Sequence, residues 1–270
     1  MTVLIQISDP HFGTEQPQVV DALQRLARRL KPDILILSGD ITQRARRMQF
    51  RAAQEFVASL GIPKRLILPG NHDIPLFNVA ARLLHPYRNY QQSFGAQLEP
   101  QIEVAGIRII GVNATRWWRH TDGQLGRAQI ERVSRLLRDT RADQVKMVVT
   151  HQPLHVPSAA EKHDLAYGAD AAIPAWSKAG ADIVMGGHIH LPYVRPVHEY
   201  RLDLSRKLWC VQAGTAVSSR VRRGAPNSVH VLHVPDRAAE SGLEVHRWDY
   251  DAEQGEFRTE QKDRLSFGLR

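Results

Sequence analysis

Cysteine is the first scarcity in this 270-residue sequence: Cys210 stands alone, which excludes an internal disulfide and any zinc site built on cysteines. It also gives no sign of an oxidising compartment. Long apolar runs are missing too. No stretch approaches the roughly 20 residues that a membrane-spanning helix needs. The opening MTVLIQISDPHF lacks the basic start and small-residue cleavage site of a secretory leader. The expected location is the cytoplasm, with no membrane span. Aromatic residues amount to only 7% and do not interleave with basic ones into the extended track that single-strand nucleic-acid binders use. Against these shortages stand 43% hydrophobic and 24% charged residues, enough apolar material for a real core, so wholesale disorder is excluded. The length allows one large domain or a domain with a small appendage. Basic residues, 29 Arg and 7 Lys, exceed 28 acidic ones for a net charge of +8. That excess favours anionic ligands without naming one, and codon bias explains arginine richness equally well.

Short β-branched runs recur through the first two thirds: Val3 to Ile7, Ile34 to Leu37, Leu66 to Leu68, Ile107 to Val112, Lys146 to Val149 and Asp182 to Met185. Their near-continuous hydrophobicity predicts strands buried on both faces. Between them lie helical spacings, at Val19, Leu23, Leu26 and Leu30, around Phe50 and Phe56 up to Gly61, and at Ile130, Val133 and Leu137. This alternation predicts an α/β layered domain. From Pro192 onward the pattern is strands with little helix: Trp209 to Val211, Val229 to Val234, Leu243 to Trp248 and Phe257 to Thr259. Residues 1–200 are thus expected to form the main domain, with 201–270 finishing its sheets or adding a β-rich C-terminal extension. The stretch from Asp249 to Arg270 is charged and poor in large apolar residues, so its end is expected to be mobile.

The chemistry is written after the strands. Strand one runs into Asp9-Pro10-His11, strand two into Gly39-Asp40, strand three into Gly70-Asn71-His72-Asp73, the fifth into His151, and the sixth into Gly186-Gly187-His188-Ile189-His190. In an open α/β sheet, loops at the carboxyl ends of the strands converge on one crevice. Carboxylate, imidazole and amide oxygen suit divalent first-row metals, whereas a thiolate site is ruled out. The i, i+2 pairs Asp9/His11 and His188/His190 point the same way if the backbone is locally extended. Glycines 39, 70, 186 and 187 allow tight turns and close approach. Taken singly, Asp40 fits a helix N-cap, Asn71 and Asp73 fit turns, and His151 fits an exposed strand end. The case rests on their occurring in this order, each at a strand end.

Asp-x-His, Gly-Asp, Gly-Asn-His-Asp, a lone histidine and Gly-His-x-His together resemble the calcineurin-like metallophosphoesterase superfamily over about residues 1–200. Gly39-Asp40-Ile41-Thr42 with Gly70-Asn71-His72-Asp73 look most like the bacterial class III cyclic-nucleotide phosphodiesterase group, which also contains glycerophosphodiesterases. The resemblance implies a four-layer βαββα sandwich and a pair of metal ions: Asp9, His11, Asp40 and His190 on the first, with Asp40 bridging to a second held by Asn71, His151 and His188. It leaves the metal open among manganese, iron and zinc. It also implies that His72 serves the leaving oxygen, with Asn71 and His72 at the substrate and Asp73 orienting His72.

Three basic clusters flank these motifs: Arg44, Arg46 and Arg47; Arg116 and Arg119 around Trp117-Trp118; and Arg220, Arg222 and Arg223. They fit either the rim of an anion-binding crevice or plain solvated faces, and one tryptophan of the pair is expected in the core. His120, His155 and His163 have no assigned place. Leu76, Phe77, Val79, Leu83 and Leu84 read as an apolar lid or as a helix packed into the core. The reading these features favour is a metal-dependent phosphodiesterase for a small anionic phosphodiester such as a 3',5'-cyclic nucleotide. A glycerophosphodiesterase, a nucleotide-sugar-lipid pyrophosphatase, a nuclease and a non-catalytic scaffold are the alternatives. The filled ligand positions count against the scaffold, and no feature fixes an oligomeric state.

Overall fold

Three strands, β1 (Thr2–Ile7), β2 (Ile34–Ser38) and β3 (Lys64–Leu68), pair in parallel, and alternate side chains along them enter different cores. Ile5, Ile7, Leu35 and Leu37 face one apolar cluster, while Leu4, Ile34 and Ile36 face another. A strand covered on both sides reads as an unbroken hydrophobic run, which is why these were legible in the sequence. The computed structural model describes residues 1–222 and 224–269.

The second sheet is built from β4 (Gln101–Val104), β5 (Ile107–Gly111), β6 (Val145–Val149), β7 (Ile183–Gly186), β8 (Tyr193–Pro196) and β9 (Trp209–Gln212). Its strand order is β4-β5-β6-β7-β9-β8, parallel from β5 through β9 with antiparallel strands at both edges. The last strands, β10 (Ser228–Val234), β11 (Leu243–Asp251) and β12 (Glu256–Leu265), return to the first sheet, ordered β12-β11-β10-β1-β2-β3. β10 lies antiparallel to β1, with Leu4 opposite Leu232 and Gln6 opposite His230.

Two helices, α1 (Pro17–Leu30) and α2 (Arg47–Ser59), cover the outer face of the first sheet through Val19, Leu23, Leu26, Phe50, Phe56 and Val57. Pro17 opens α1 where its missing N–H costs nothing, and Lys31 closes it in the left-handed region. Two short helices, α3 (Val79–Leu84) and α4 (Arg88–Phe94), follow β3. On the second sheet, α5 (Arg127–Arg138) and α6 (Ala169–Ala179) bury Ile130, Val133, Leu137, Ile173 and Trp176. Single turns α7 (Val197–Tyr200) and α8 (Ala238–Ser241) complete the set. Between the sheets, Leu66, Leu68, Ile109, Met147, Val149 and Met185 form a third core. The result is the expected helix–sheet–sheet–helix sandwich.

Three expectations change. β4 and β8 were not foreseen: each has four residues, and β4 alternates exposed with half-buried positions, so neither makes an apolar run. The charged stretch after Asp249 is mostly strand, because β12 forms the sheet edge and lone edges favour charged side chains. Leu83, Leu84 and Val79 do lie on a helix, but α3 buries none of its side chains, so the core-packing reading is wrong.

Candidate metal centre

At the carboxyl ends of β1, β2 and β7 the backbone does something unusual. Asp9 (φ 50), His11 (φ 43), Asp40 (φ 47), His188 (φ 74) and His190 (φ 54) all adopt positive φ, a conformation that costs a residue with a Cβ roughly 1–2 kcal/mol. The extended backbone expected for Asp9/His11 and His188/His190 is therefore not what aims these pairs. Left-handed backbone at these residues does so. Close approach completes the crowding. A Cβ at Gly70 would run into the Asp40 backbone nitrogen, and one at Gly187 into Ser8 Oγ and Asp9 Oδ2.

The strand ends gather six ligand-type side chains into two adjoining groups, Asp9/His11/His190 and Asp40/His151/His188, whose donor atoms lie within 4.8 Å of one another in each group. Asp40 stands between them, with Oδ2 3.6 Å from His11 Nε2 and Oδ1 3.2 Å from His151 Nε2. Asn71 Oδ1 lies 3.2 Å from the same His151 Nε2. His72 belongs to a third set with His11 and Asp40, at the exposed side of the group.

The tautomers are set by carbonyls. His151 Nδ1 donates to Ser38 O at 2.8 Å, His190 Nδ1 to Arg220 O at 2.6 Å and His72 Nδ1 to Gln43 O at 3.0 Å. Each ring consequently turns its Nε2 toward the centre, as metal-ligating histidines do. Two observations say what the centre is built for. His11 Nε2 and His190 Nε2 face each other at 3.1 Å, an arrangement that needs a proton or a cation between them. His188 Nδ1 is buried and has no hydrogen-bond partner among the described residues, a cost a metal ion would remove. A pair of divalent cations fits this donor set, with histidine nitrogen and carboxylate oxygen suiting first-row metals.

Protonation states agree for the carboxylates and for two of the rings. Burial lowers His11 to about 3 and His188 to about 4, leaving both rings neutral. Burial raises Asp9, but the His190 hydrogen bond and charge outweigh it and hold the carboxyl at about 2. Asp40 is likewise held well below the usual range, the neighbouring His151 and His72 overcoming desolvation. For His151 burial acts downward, but Asp40, Asp9 and the Ser38 carbonyl together outweigh it and raise the ring to about 9. Ionised carboxylates beside the neutral His11 and His188 rings are the state a metal binds, whereas the proton on His151 must leave before its Nε2 can coordinate.

One expected role does not hold. Asp73 does not touch the His72 ring: its carboxylate accepts from the Gly70, Ile41 and Thr42 backbone N–H groups at 2.8, 3.0 and 2.8 Å and from Thr42 Oγ1 at 2.8 Å. Facing inward, it locks the loop after β2 to the turn after β3, and burial together with the Asp40 charge raises it to about 7. The Gln43 carbonyl orients His72 instead, a contact no side-chain motif could reveal.

Among the described residues of the basic clusters, Arg220 reaches the centre. Its Nη1 lies 3.1 Å from Gln43 Oε1, 3.2 Å from His72 Nε2 and 3.4 Å from His11 Nδ1. Among the described residues no carboxylate lies within salt-bridge distance of it, whereas Arg222 is paired with Glu161 at 2.9 Å. Arg223 lies outside the described residues. Arg116 binds the Asn113 and Thr115 carbonyls, and Arg119 packs 4.1 Å over the Tyr167 ring. Trp117 and Trp118 stack edge to face and neither is buried, so the expected core tryptophan is not one of them. His120 borders a recess beside His72, His163 is exposed, and His155 packs on Tyr200. The cleft itself is open, about 490 Å³, with Asp40, Asn71, His72, His188, His190 and Arg220 on its walls.

Residues 2–192 match the family model of the calcineurin-like phosphoesterases. Similar solved structures include a purple acid phosphatase from yellow lupin (Lupinus luteus), 14% identical with a TM-score of 0.72, covering 98% of this chain and 53% of that one. This chain thus spans about half the length of that phosphatase. A dimetal phosphatase from Danio rerio is 13% identical with a TM-score of 0.66 and 99% of each chain covered. Vps29 from Chaetomium thermophilum is 12% identical with a TM-score of 0.51, covering 98% and 97%. No curated protein matches.

Proposed function

The chain belongs to the calcineurin-like phosphoesterase family, and from that premise we propose that it is a metal-dependent phosphodiesterase acting on a small anionic diester such as a 3',5'-cyclic nucleotide. The observation that carries this reading is the convergence of a complete ligand set with an uncompensated arginine and a cleft-facing imidazole. In the proposed arrangement Asp9, His11, Asp40 and His190 hold one cation, and Asp40, Asn71, His151 and His188 the other. Bound there, two divalent cations supply polarisation of a phosphoryl oxygen and acidification of water. The chain's own residues do the rest. Arg220 binds a non-bridging oxygen of the substrate, exchanging its weak contacts with imidazole nitrogens for a charge-assisted pair. Gln43 keeps a proton on His72 Nδ1, so only Nε2 exchanges one with the leaving oxygen. Asp73 fixes the turn that carries Asn71 and His72.

The test is hydrolysis of bis(p-nitrophenyl) phosphate against p-nitrophenyl phosphate by metal-stripped protein reconstituted separately with manganese, iron and zinc. Metal-dependent preference for the diester is expected. Preference for the monoester would make the protein a phosphatase, and no turnover with any metal would favour a non-catalytic binding protein on this fold.

A further inference from the structure

Two segments beside the cleft carry apolar side chains that the fold does not use. Leu84 on α3 is 72% exposed, Val79 62% and Leu83 52%, and Phe77 just ahead of the helix is 78% exposed. Trp118 and Trp117, in the loop after β5, are 55% and 37% exposed. Together these account for nearly half of the large apolar side chains exposed among the described residues. Scattered singly they would need no explanation, but these fall on two segments that are tied together. Arg82 joins the two segments, donating to Pro75 O at 3.2 Å and Arg119 O at 2.7 Å. Arg44 sits 5.4 Å over the Phe77 ring, and Asn89 donates to Ala45 O at 2.8 Å, drawing the start of α2 into the same surface. Leu76, Arg82 and His120 share a recess with His72, so the surface borders the mouth of the metal centre.

Its charge is one-sided. From Ile41 to Gln54, Ile74 to Leu98 and Val104 to Thr121 there is no Asp or Glu, while nine arginines occur. Arg51, Arg108 and Arg119 pair with Glu55, Glu103 and Asp122 just outside these segments, whereas among the described residues Arg44, Arg46, Arg47, Arg82, Arg88 and Arg116 have no carboxylate within salt-bridge distance. Protruding aliphatic and indole side chains ringed by arginine match a bilayer with negative headgroups, in which tips enter the acyl boundary and guanidiniums meet phosphate. Nucleic acid matches less well, since Leu83, Leu84 and Val79 would meet nothing apolar on a phosphate backbone.

We propose that this surface, formed by Phe77, α3, Trp117 and Trp118 with the surrounding arginines, docks the protein on an anionic phospholipid bilayer with the metal cleft beside the headgroups. The proposal is independent of the reaction at the centre. The experiment is cosedimentation of the purified protein with vesicles of equimolar phosphatidylglycerol and phosphatidylcholine, and with phosphatidylcholine alone. Binding to the anionic vesicles is expected, roughly tenfold weaker or more without phosphatidylglycerol. The double variant Phe77→Gln/Leu84→Gln should lose about tenfold, and Leu202→Gln, exposed elsewhere, should bind as the parent does. Arg44→Gln/Arg47→Gln, which alters no apolar group, should weaken anionic binding by a similar factor. No binding to anionic vesicles overturns the proposal. So does equal binding by parent and both double variants, and so does binding of a single-stranded oligonucleotide, or self-association through Phe77 and Leu84, in place of the vesicles.

Discussion

At the scale of single residues, the centre is defined by side chains on a backbone that resists its own conformation. Five ligand-type residues sit at positive φ where glycine would be relaxed, and each must keep its side chain to be useful. Residue type and order made them legible in the sequence, because few jobs need Asp, Asn and His after successive strands. Two residue roles were not legible. Asp73 bonds to backbone N–H groups of the neighbouring loop, and Gln43 acts through its carbonyl. Arg220 stood out only as one of a cluster, and its approach to His72 across 148 residues of chain depends on the fold. Removing its guanidinium with Arg220→Ala should raise KM for a diester about tenfold or more while kcat falls less, since a charge-assisted contact is lost. His72→Gln should show the opposite split, lowering kcat by about a hundredfold with KM little changed. Steady-state kinetics on both, with metal content measured by mass spectrometry, checks the assignment. A fall in bound metal in either variant would make it a structural effect.

At the scale of elements, strands buried on both faces announce themselves and short edge strands do not. β1, β2 and β6 are hydrophobic at nearly every position because a core lies on either side, whereas β4 alternates half-buried and exposed residues. β10 carries an anomaly in the middle of its run. His230 is fully buried opposite Gln6 and Arg247, and neither ring nitrogen has a hydrogen-bond partner. Burial, with the Arg247 charge, lowers it to about 3 from the usual 6.5. The unfolded chain therefore takes up a proton below about pH 6.5 that the folded chain refuses until about pH 3. Stability from this residue is intact above pH 6.5 and lost as pH falls, by about 2 kcal/mol between pH 7 and 5. His230→Leu should remove that slope, so in denaturant melts the stability difference between the two proteins should shift by about 2 kcal/mol in the variant's favour as pH drops from 7 to 5. Parallel pH profiles would show that the ring is solvated or protonated in the folded protein.

At the scale of the whole molecule, the candidate centre lies where the two sheets meet. Asp9, His11, Asp40 and Asn71 follow strands of the first sheet, and His151, His188 and His190 follow strands of the second. A cation held by both groups would clamp the sandwich at one end, and bound ligand stabilises only the folded state. At a hundredfold excess over Kd that is about 2.7 kcal/mol per site, or roughly 5–10 °C for a chain of this size. Calorimetry should show Tm falling on treatment with a chelator and recovering when manganese or zinc is returned. A Tm indifferent to chelator would mean that no cation joins the sheets.

The layered α/β class, most central strands and the residue types at their ends could be read from the residues alone, because burial on both faces and the scarcity of reasons for such motifs leave a local imprint. Tertiary structure decided what depends on partners distant in the chain. The return of β10 to lie against β1 is fixed by backbone hydrogen bonds, which any residue can make and which therefore leave no mark. The carbonyls that set three imidazole tautomers are equally silent in sequence. Whether an apolar side chain is core or surface is a property of its neighbours, and so Leu84 and Phe77 face solvent while Trp176 is enclosed.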